Sequence, residues 1–166
     1  MKQISLWALA LLTALSAQAQ TFEPELADPK PGAQETWNSV KKASLAWGST
    51  DIRYSRSQPA TGQKTLLLDA WRGERVSAQA VLSTPVDLAR VTFEVSDLRN
   101  GKAIIPAARI NKYFVRYVMT DWHDHESDSF VLSDHLSPEA EMKEEARTTR
   151  PLWLNIRVAQ DAKPGT

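Results

Sequence analysis

The segment from 121 to 128 carries the side chains that most readily bind a metal ion: Asp121, His123, Asp124, His125 and Asp128. In an extended segment His123 and His125 point to the same side, and imidazole with carboxylate suits zinc or a similar ion. Their spacing matches no established metal motif, and a solvated polar loop is the alternative. We therefore predict no bound metal, with Asp121, His123 and His125 as the residues that would bind one.

Three tryptophans carry aromatic faces on which a sugar could stack: Trp71, Trp122 and Trp153. A flat aromatic face suits the C–H face of a pyranose ring. Trp153 stands out because the alternation of its neighbours places it on the polar face of a strand. Tryptophan is usually well buried whatever its role, so covering a domain interface is the alternative. The two interpretations for all three residues are carbohydrate contact and interdomain contact.

Acidic residues elsewhere show no arrangement for acid–base catalysis. Glu74 lies between Arg72 and Arg75 at a predicted turn, where exposed ion pairs contribute little. Other acid pairs occur in a charged segment typical of a solvated face: Glu139 with Glu141, and Glu144 with Glu145. The chain has no GxSxG and no glycine-rich phosphate loop. We predict no catalytic residue and no cofactor in this chain.

The stretch from 66 to 82 organises the predicted fold. Apolar residues alternate over 66–70 and again over 76–82, which predicts two strands that each bury one face. Arg72, Gly73 and Glu74 separate them, and Gly73 can take the positive φ that hairpin turns often need. The two segments therefore predict a β-hairpin.

The same alternation predicts strands at 51–55, 91–95 and 152–158, and 130–132 is a short strand or a loop anchor. The segment 112–120 is apolar on both faces, which predicts a strand central to the sandwich or covered by a second domain. Asn100 and Gly101 predict a tight turn. Together these segments predict an all-β fold, an antiparallel β-sandwich with one or two short helical segments.

Two segments predict short helices. Trp37 and Val40 share one side of 33–42, with a loop as the alternative. Ser137 can cap a helix that has Pro138 at its first position, so 137–147 predicts a short charged helix or a flexible excursion.

The final residues, 162–165, form a turn signal. Because a turn normally brings the chain back, we expect the sequence to be a fragment of a longer protein. The strand at 152–158 would then lack a neighbour and expose unpaired backbone groups. An edge that is left open is the alternative.

The N-terminus has the pattern of a cleaved bacterial secretion signal. Lys2 precedes an apolar run over 4–15, and Ala17-Gln18-Ala19 is a small-x-small cleavage site. The predicted divisions are a signal peptide at 1–19, an extended leader at 20–35 and a β-sandwich domain at 36–166. Secretion or a periplasmic location follows. Disulfides are excluded because there is no cysteine.

Charge and hydropathy argue against two classes of partner. Lys and Arg total 20 and so do Asp and Glu, which gives no electrostatic case for nucleic acid. After the signal no segment is long and apolar enough to cross a membrane.

The hairpin also carries a family resemblance. Residues 70–79, AWRGERVSAQ, resemble the W-x-G-E-x-x-x-x-Q segment in the N-terminal domain of glycoside hydrolase family 123 and its relatives. Similar segments follow in the same order at 95–98, 114–121, 133–136, 150–154 and 161–166. The similarity covers roughly 36–166.

The resemblance implies a β-sandwich that precedes a catalytic (β/α) barrel. Enzymes of the family cleave terminal β-linked N-acetylgalactosamine, with the substrate's acetamido group as nucleophile and an Asp-Glu pair in the barrel. That pair has no counterpart here. We therefore expect a non-catalytic module that supports a barrel C-terminal to this chain, acting on N-acetylhexosamine-containing glycans. The alternatives are a stand-alone carbohydrate-binding module and a small metal-dependent enzyme that uses the 121–128 segment.

Overall fold

Antiparallel strands dominate the structure, a computed structural model that describes residues 24–28, 34–120 and 130–163. Two short 3-10 helices, Gln34–Ser39 and Ala107–Arg109, accompany the strands. The strands are β1 (Ser44–Gly48), β2 (Arg75–Thr84), β3 (Leu88–Val91), β4 (Leu98–Asn100), β5 (Ala103–Ile105), β6 (Ile110–Thr120), β7 (Phe130–Ser137), β8 (Met142–Glu144) and β9 (Thr148–Arg157).

One five-stranded sheet, in the order β1-β2-β9-β6-β7, forms the main layer. β9 lies at its centre, because it pairs with β2 from Arg75↔Arg157 to Thr84↔Thr148 and with β6 on its other side. The expectation that 152–158 lacks a neighbour is therefore wrong. The sequence pattern identified the strand but could not identify partners that lie far away along the chain.

The second layer is smaller and consists of two two-stranded sheets, β3-β8 and β4-β5, together with the extended segment 92–97. Ala78, Leu154 and their neighbours form one core cluster, and Ala80, Phe114 and Leu152 form a second. Phe93 packs against both clusters and meets the Phe114 ring edge-on at 5.1 Å. The all-β prediction is confirmed, with layers of unequal size.

Three predicted elements differ from the structure. Neither 51–55 nor 66–70 is a strand, and β1 takes the place next to β2 that the predicted hairpin gave to 66–70. Segment 92–97 shows the predicted alternation of burial without belonging to a ladder. Alternation reports which side chains face the core, but a strand also needs a partner backbone within hydrogen-bonding reach.

The predicted helix at 137–147 is also absent, since this segment contains the last residue of β7 and all of β8. The local cap signal at Ser137 is overridden because β8 pairs with β3 and buries Glu144. The helix prediction at 33–42 agrees with the structure over Gln34–Ser39, which form a 3-10 helix. Trp37 lies in the first 3-10 helix, is 3% exposed, and donates from Nε1 to the carbonyl of Ser57 at 2.8 Å.

No helix in the part of the chain described here is long and apolar enough to cross a bilayer.

Candidate functional site

Trp71 and Trp153 lie in the described structure, and they belong to separate features. Trp122, with the metal candidates Asp121, His123 and His125, falls outside the described residues. Over 24–28, 34–120 and 130–163 no three His, Cys, Asp or Glu side chains group as metal ligands. The groove over Trp153 and the turn at Trp71 are two surface features that could bind a partner.

Trp153 lies on the floor of an open groove of about 490 Å³. In the pairing of β2 with β9, Trp153 lies opposite Gln79, and Asn155 lies opposite Ser77. All four side chains are on the sheet face that points away from the two core clusters. The alternation of β9 thus buries Leu152 and Leu154 on one face and leaves Trp153 half-buried on the other. The predicted placement of Trp153 on the polar face of its strand is confirmed.

Hydrogen bonds hold the floor of the groove in place. The Trp153 indole Nε1 donates to Asn155 Oδ1 at 3.0 Å, and Ser77 Oγ donates to the same oxygen at 2.9 Å. Gln79 Nε2 donates to the carbonyls of Ser49 and Ile52 at 2.6 and 3.1 Å. The indole orientation and the neighbouring 49–52 loop are therefore fixed by polar contacts.

The two walls of the groove come from the loop at 50–53 and from β7. Arg53 donates from Nε and Nη2 to Asp134 Oδ1 at 3.0 and 2.9 Å, which joins the walls. Both side chains are more than half exposed, so this pair contributes about 0–1 kcal/mol.

Ser133 also lines the groove, and its buried hydroxyl has no hydrogen-bond partner among the described residues. An unmet buried hydroxyl costs about 1–3 kcal/mol.

Trp71 lies in the turn that precedes β2 and is 83% exposed. Its backbone N–H donates to Glu74 Oε2 at 2.6 Å, so Glu74 serves the turn rather than catalysis. The turn is also bonded to the chain after β9, since Gly73 N donates to Ala159 O and Val158 N to Glu74 O. Leu67, close before it in sequence, is 94% exposed. The turn therefore presents apolar surface beside the segment 158–163.

A buried cluster of charges escaped the sequence analysis. Arg150, 1% exposed, donates to both oxygens of Glu25 at 2.6 and 2.7 Å and to Glu144 Oε1 at 2.7 Å. The guanidinium also lies over the Tyr117 ring at 4.9 Å. The signal in the sequence was an arginine directly before the apolar residues of β9, in the part of the strand that the structure buries.

Pro151 explains why the cluster forms at this point. The β6-β9 ladder ends at the Phe114↔Leu152 pair, and the next residue of β9 is Pro151, which has no N–H to donate. Beyond it, side chains bond to the backbone of β6: Arg150 Nη1 donates to the carbonyl of Val115 at 2.9 Å, and Tyr117 N donates to Glu25 Oε1 at 2.8 Å. The cluster therefore replaces sheet hydrogen bonds.

Burial and charge shift the pKa values in this cluster in different directions. Burial favours the protonated form of Glu25, but hydrogen bonds and charge from Arg150 prevail and lower its pKa. Burial dominates at Glu144 and raises its pKa despite Arg150. Burial also raises the pKa of Tyr117, which keeps the phenol neutral. All five N–H groups of Arg150 donate to Glu25, Glu144 or the carbonyl of Val115, and the Tyr117 hydroxyl donates to the carbonyl of Thr149. These contacts give the cluster a structural role.

Comparisons with known proteins point to one family. A family model described as the glycoside hydrolase 123 N-terminal domain matches residues 47–166. A search of curated proteins finds no significant match. A solved family 123 glycoside hydrolase from Clostridium perfringens, studied for the hydrolysis of glycolipid glycans, is similar in fold with a TM-score of 0.68 and 20% identity. The alignment covers 75% of this chain and 23% of that one, so the chain spans about a quarter of that relative's length.

Proposed function

Because the chain belongs to the family of glycoside hydrolase 123 N-terminal domains, we propose that it is the non-catalytic module of a larger glycoside hydrolase. In this proposal a catalytic (β/α) barrel lies C-terminal to the β-sandwich, and the sandwich supports it. The observation that carries the proposal is the family match together with the small share of the solved relative that this chain spans.

The expected substrates are glycans that contain N-acetylhexosamine, hydrolysed by the barrel in the periplasm or outside the cell. The substrate class rests on the family resemblance, and the location rests on the signal-like N-terminus. The architecture agrees with a non-catalytic role, since the buried carboxylates of Glu25 and Glu144 are committed to Arg150.

The apolar surface at Leu67 and Trp71 is the contact surface that we assign to the barrel. Large exposed apolar side chains commonly mark interaction sites, and tryptophan is enriched at the centres of interfaces. The turn at 71–74 is bonded to 158–159, so it lies beside the segment from which a C-terminal domain would continue. This arrangement favours the interdomain interpretation for Trp71.

The test begins with the DNA that follows the codon for Thr166. An open frame that continues for several hundred residues of alternating β/α pattern supports the proposal, and a stop codon at that point contradicts it. The longer product and the present chain are then assayed on a chromogenic β-linked N-acetylgalactosaminide. We expect hydrolysis by the longer product alone. Hydrolysis by the present chain would overturn the non-catalytic assignment.

A further inference from the structure

We propose that the groove over Trp153 is a binding site for an uncharged saccharide. The site requires only residues of this domain, so the proposal holds whether or not a barrel follows. Its volume of about 490 Å³ lies within the range of small-ligand sites, about 300–1,000 Å³. Such sites combine an apolar platform with a few well-placed polar groups.

The platform is Trp153, whose orientation is set before any ligand arrives. Asn155 Oδ1 accepts from the indole Nε1, and Ser77 holds Asn155 in turn. A side chain that is already held loses little freedom when a ligand binds, which favours affinity. Aromatic faces of this kind suit the C–H face of a pyranose, as the sequence alone suggested for Trp153.

The polar groups around the platform suit hydroxyl groups. Ser77 donates to Asn155 Oδ1 and Gln79 Nε2 donates to two backbone carbonyls, which leaves the Ser77 oxygen and Gln79 Oε1 as acceptors and Asn155 Nδ2 as a donor for a ligand. Ser133 lines the same groove, and its hydroxyl has no partner among the described residues. A buried polar group without a hydrogen-bond partner calls for an explanation. A ligand or a water molecule bound in the groove would supply the missing partner.

The charges at the rim select against anionic ligands. Arg53 and Asp134 neutralise each other, and the exposed Asp51 leaves the lining with one excess negative charge. A phosphate or a nucleotide is therefore disfavoured. The Arg53–Asp134 pair is exposed enough to exchange its contact for hydroxyl groups at small cost. A neutral, polyhydroxylated ligand fits this lining best.

The test uses the purified chain labelled with ¹⁵N and titrated with N-acetylgalactosamine, N-acetylglucosamine and galactose. We expect at least one sugar to shift the Trp153 indole N–H resonance in a saturable manner. Trp153→Ala should raise Kd at least tenfold, and Ser133→Ala should weaken binding by a smaller factor. Trp71→Ala is the matched control and should leave Kd unchanged.

Arg53→Gln keeps the test decisive if Trp153→Ala does not fold, because an exposed rim residue can change without disturbing the core. We expect this variant to fold and to weaken binding severalfold. Three results would overturn the proposal: no saturable shift with any of the three sugars, a Kd that Arg53→Gln and Ser133→Ala leave unchanged, or shifts centred on Trp71. The sequence downstream of Thr166 decides the barrel proposal separately, so the two can fail independently.

Discussion

Arg150 and Glu25 are joined by two hydrogen bonds, from Nη1 to Oε1 at 2.6 Å and from Nη2 to Oε2 at 2.7 Å. The contact ties a residue of the predicted leader to the central strand of the sheet. Glu25 also accepts from the backbone of Tyr117, so residue 25 completes the hydrogen bonding between β6 and β9. The leader therefore contributes directly to the sheet, although it contains no strand over residues 24–28.

Glu25→Ala should destabilise the protein strongly. Breaking a buried ion pair by removing one partner costs about 3–5 kcal/mol, and Glu144 remains to compensate part of the Arg150 charge, so we expect the lower end. Urea unfolding followed by circular dichroism measures the change. Glu141→Ala is the control, because its pair with Arg90 is exposed on both sides and contributes about 0–1 kcal/mol. Equal losses in the two variants would contradict a structural role for Glu25.

The pH dependence of stability should show opposite contributions from Glu25 and Glu144. The pKa of Glu25 is lower in the folded state than its ordinary 4.5, so its contribution is present above pH 4.5 and is lost as pH falls through the folded value. The pKa of Glu144 is raised, so its contribution is present below pH 4.5 and is lost as pH rises through the folded value.

Unfolding free energies measured from pH 3 to pH 7 test this prediction. Glu25→Gln should flatten the loss of stability below pH 4.5. Glu144→Gln should remove the decline just above pH 4.5. The same slope change in both variants would show that the two carboxyl groups do not titrate as assigned.

Gly73→Ala should destabilise the protein more than Gly101→Ala. Both glycines have positive φ, 80° and 56°, so alanine at either position costs about 1–2 kcal/mol. A Cβ at Gly101 meets nothing, whereas a Cβ at Gly73 would meet the amide end of the Gln160 side chain, which is flexible and can move aside, so the excess should be small. The added Gln160→Ala change should remove the excess of Gly73→Ala. If the double variant stays as unstable as Gly73→Ala, the collision is not the cause.

Replacing each of two tryptophans with alanine should change the stability of the present chain by very different amounts. Trp37 is buried and bonded to Ser57, so Trp37→Ala should cost about 3–5 kcal/mol. Trp71 is exposed, so Trp71→Ala should stay within about 0.5 kcal/mol. Thermal unfolding compares the two. A large effect of Trp71→Ala in this chain would show packing that its exposure does not indicate.

Trp71 should become sensitive to substitution in a longer product that contains the barrel. Truncating an interface tryptophan to alanine often weakens the contact between the partners by about 2 kcal/mol or more of binding free energy. Urea unfolding of the longer product and its Trp71→Ala variant measures this loss, with Leu98→Ala as a control at another exposed apolar residue. An unchanged stability in the longer product would move the barrel contact away from this turn.

β2 and β9 were predictable because apolar residues alternate along them with the two-residue period of an extended chain, and β6 was predictable because it is aromatic and β-branched on both faces. β2, β6 and β9 lie where the pattern predicts, and so does the turn at Asn100 and Gly101, which joins β4 to β5. The polar-face position of Trp153 followed from the same period. The pattern is local, so it needs no knowledge of the rest of the fold.

Only the tertiary structure decided which strands pair and which charges meet. Segment 66–70 alternates like β2 but has no partner in a ladder, while β1, which the pattern did not predict, lies beside β2. Arg150 and Glu25 are far apart in sequence, and the lack of an N–H at Pro151 is what leaves a place for them between β6 and β9. Such contacts depend on the distances between chain segments in space, which side-chain periodicity does not contain.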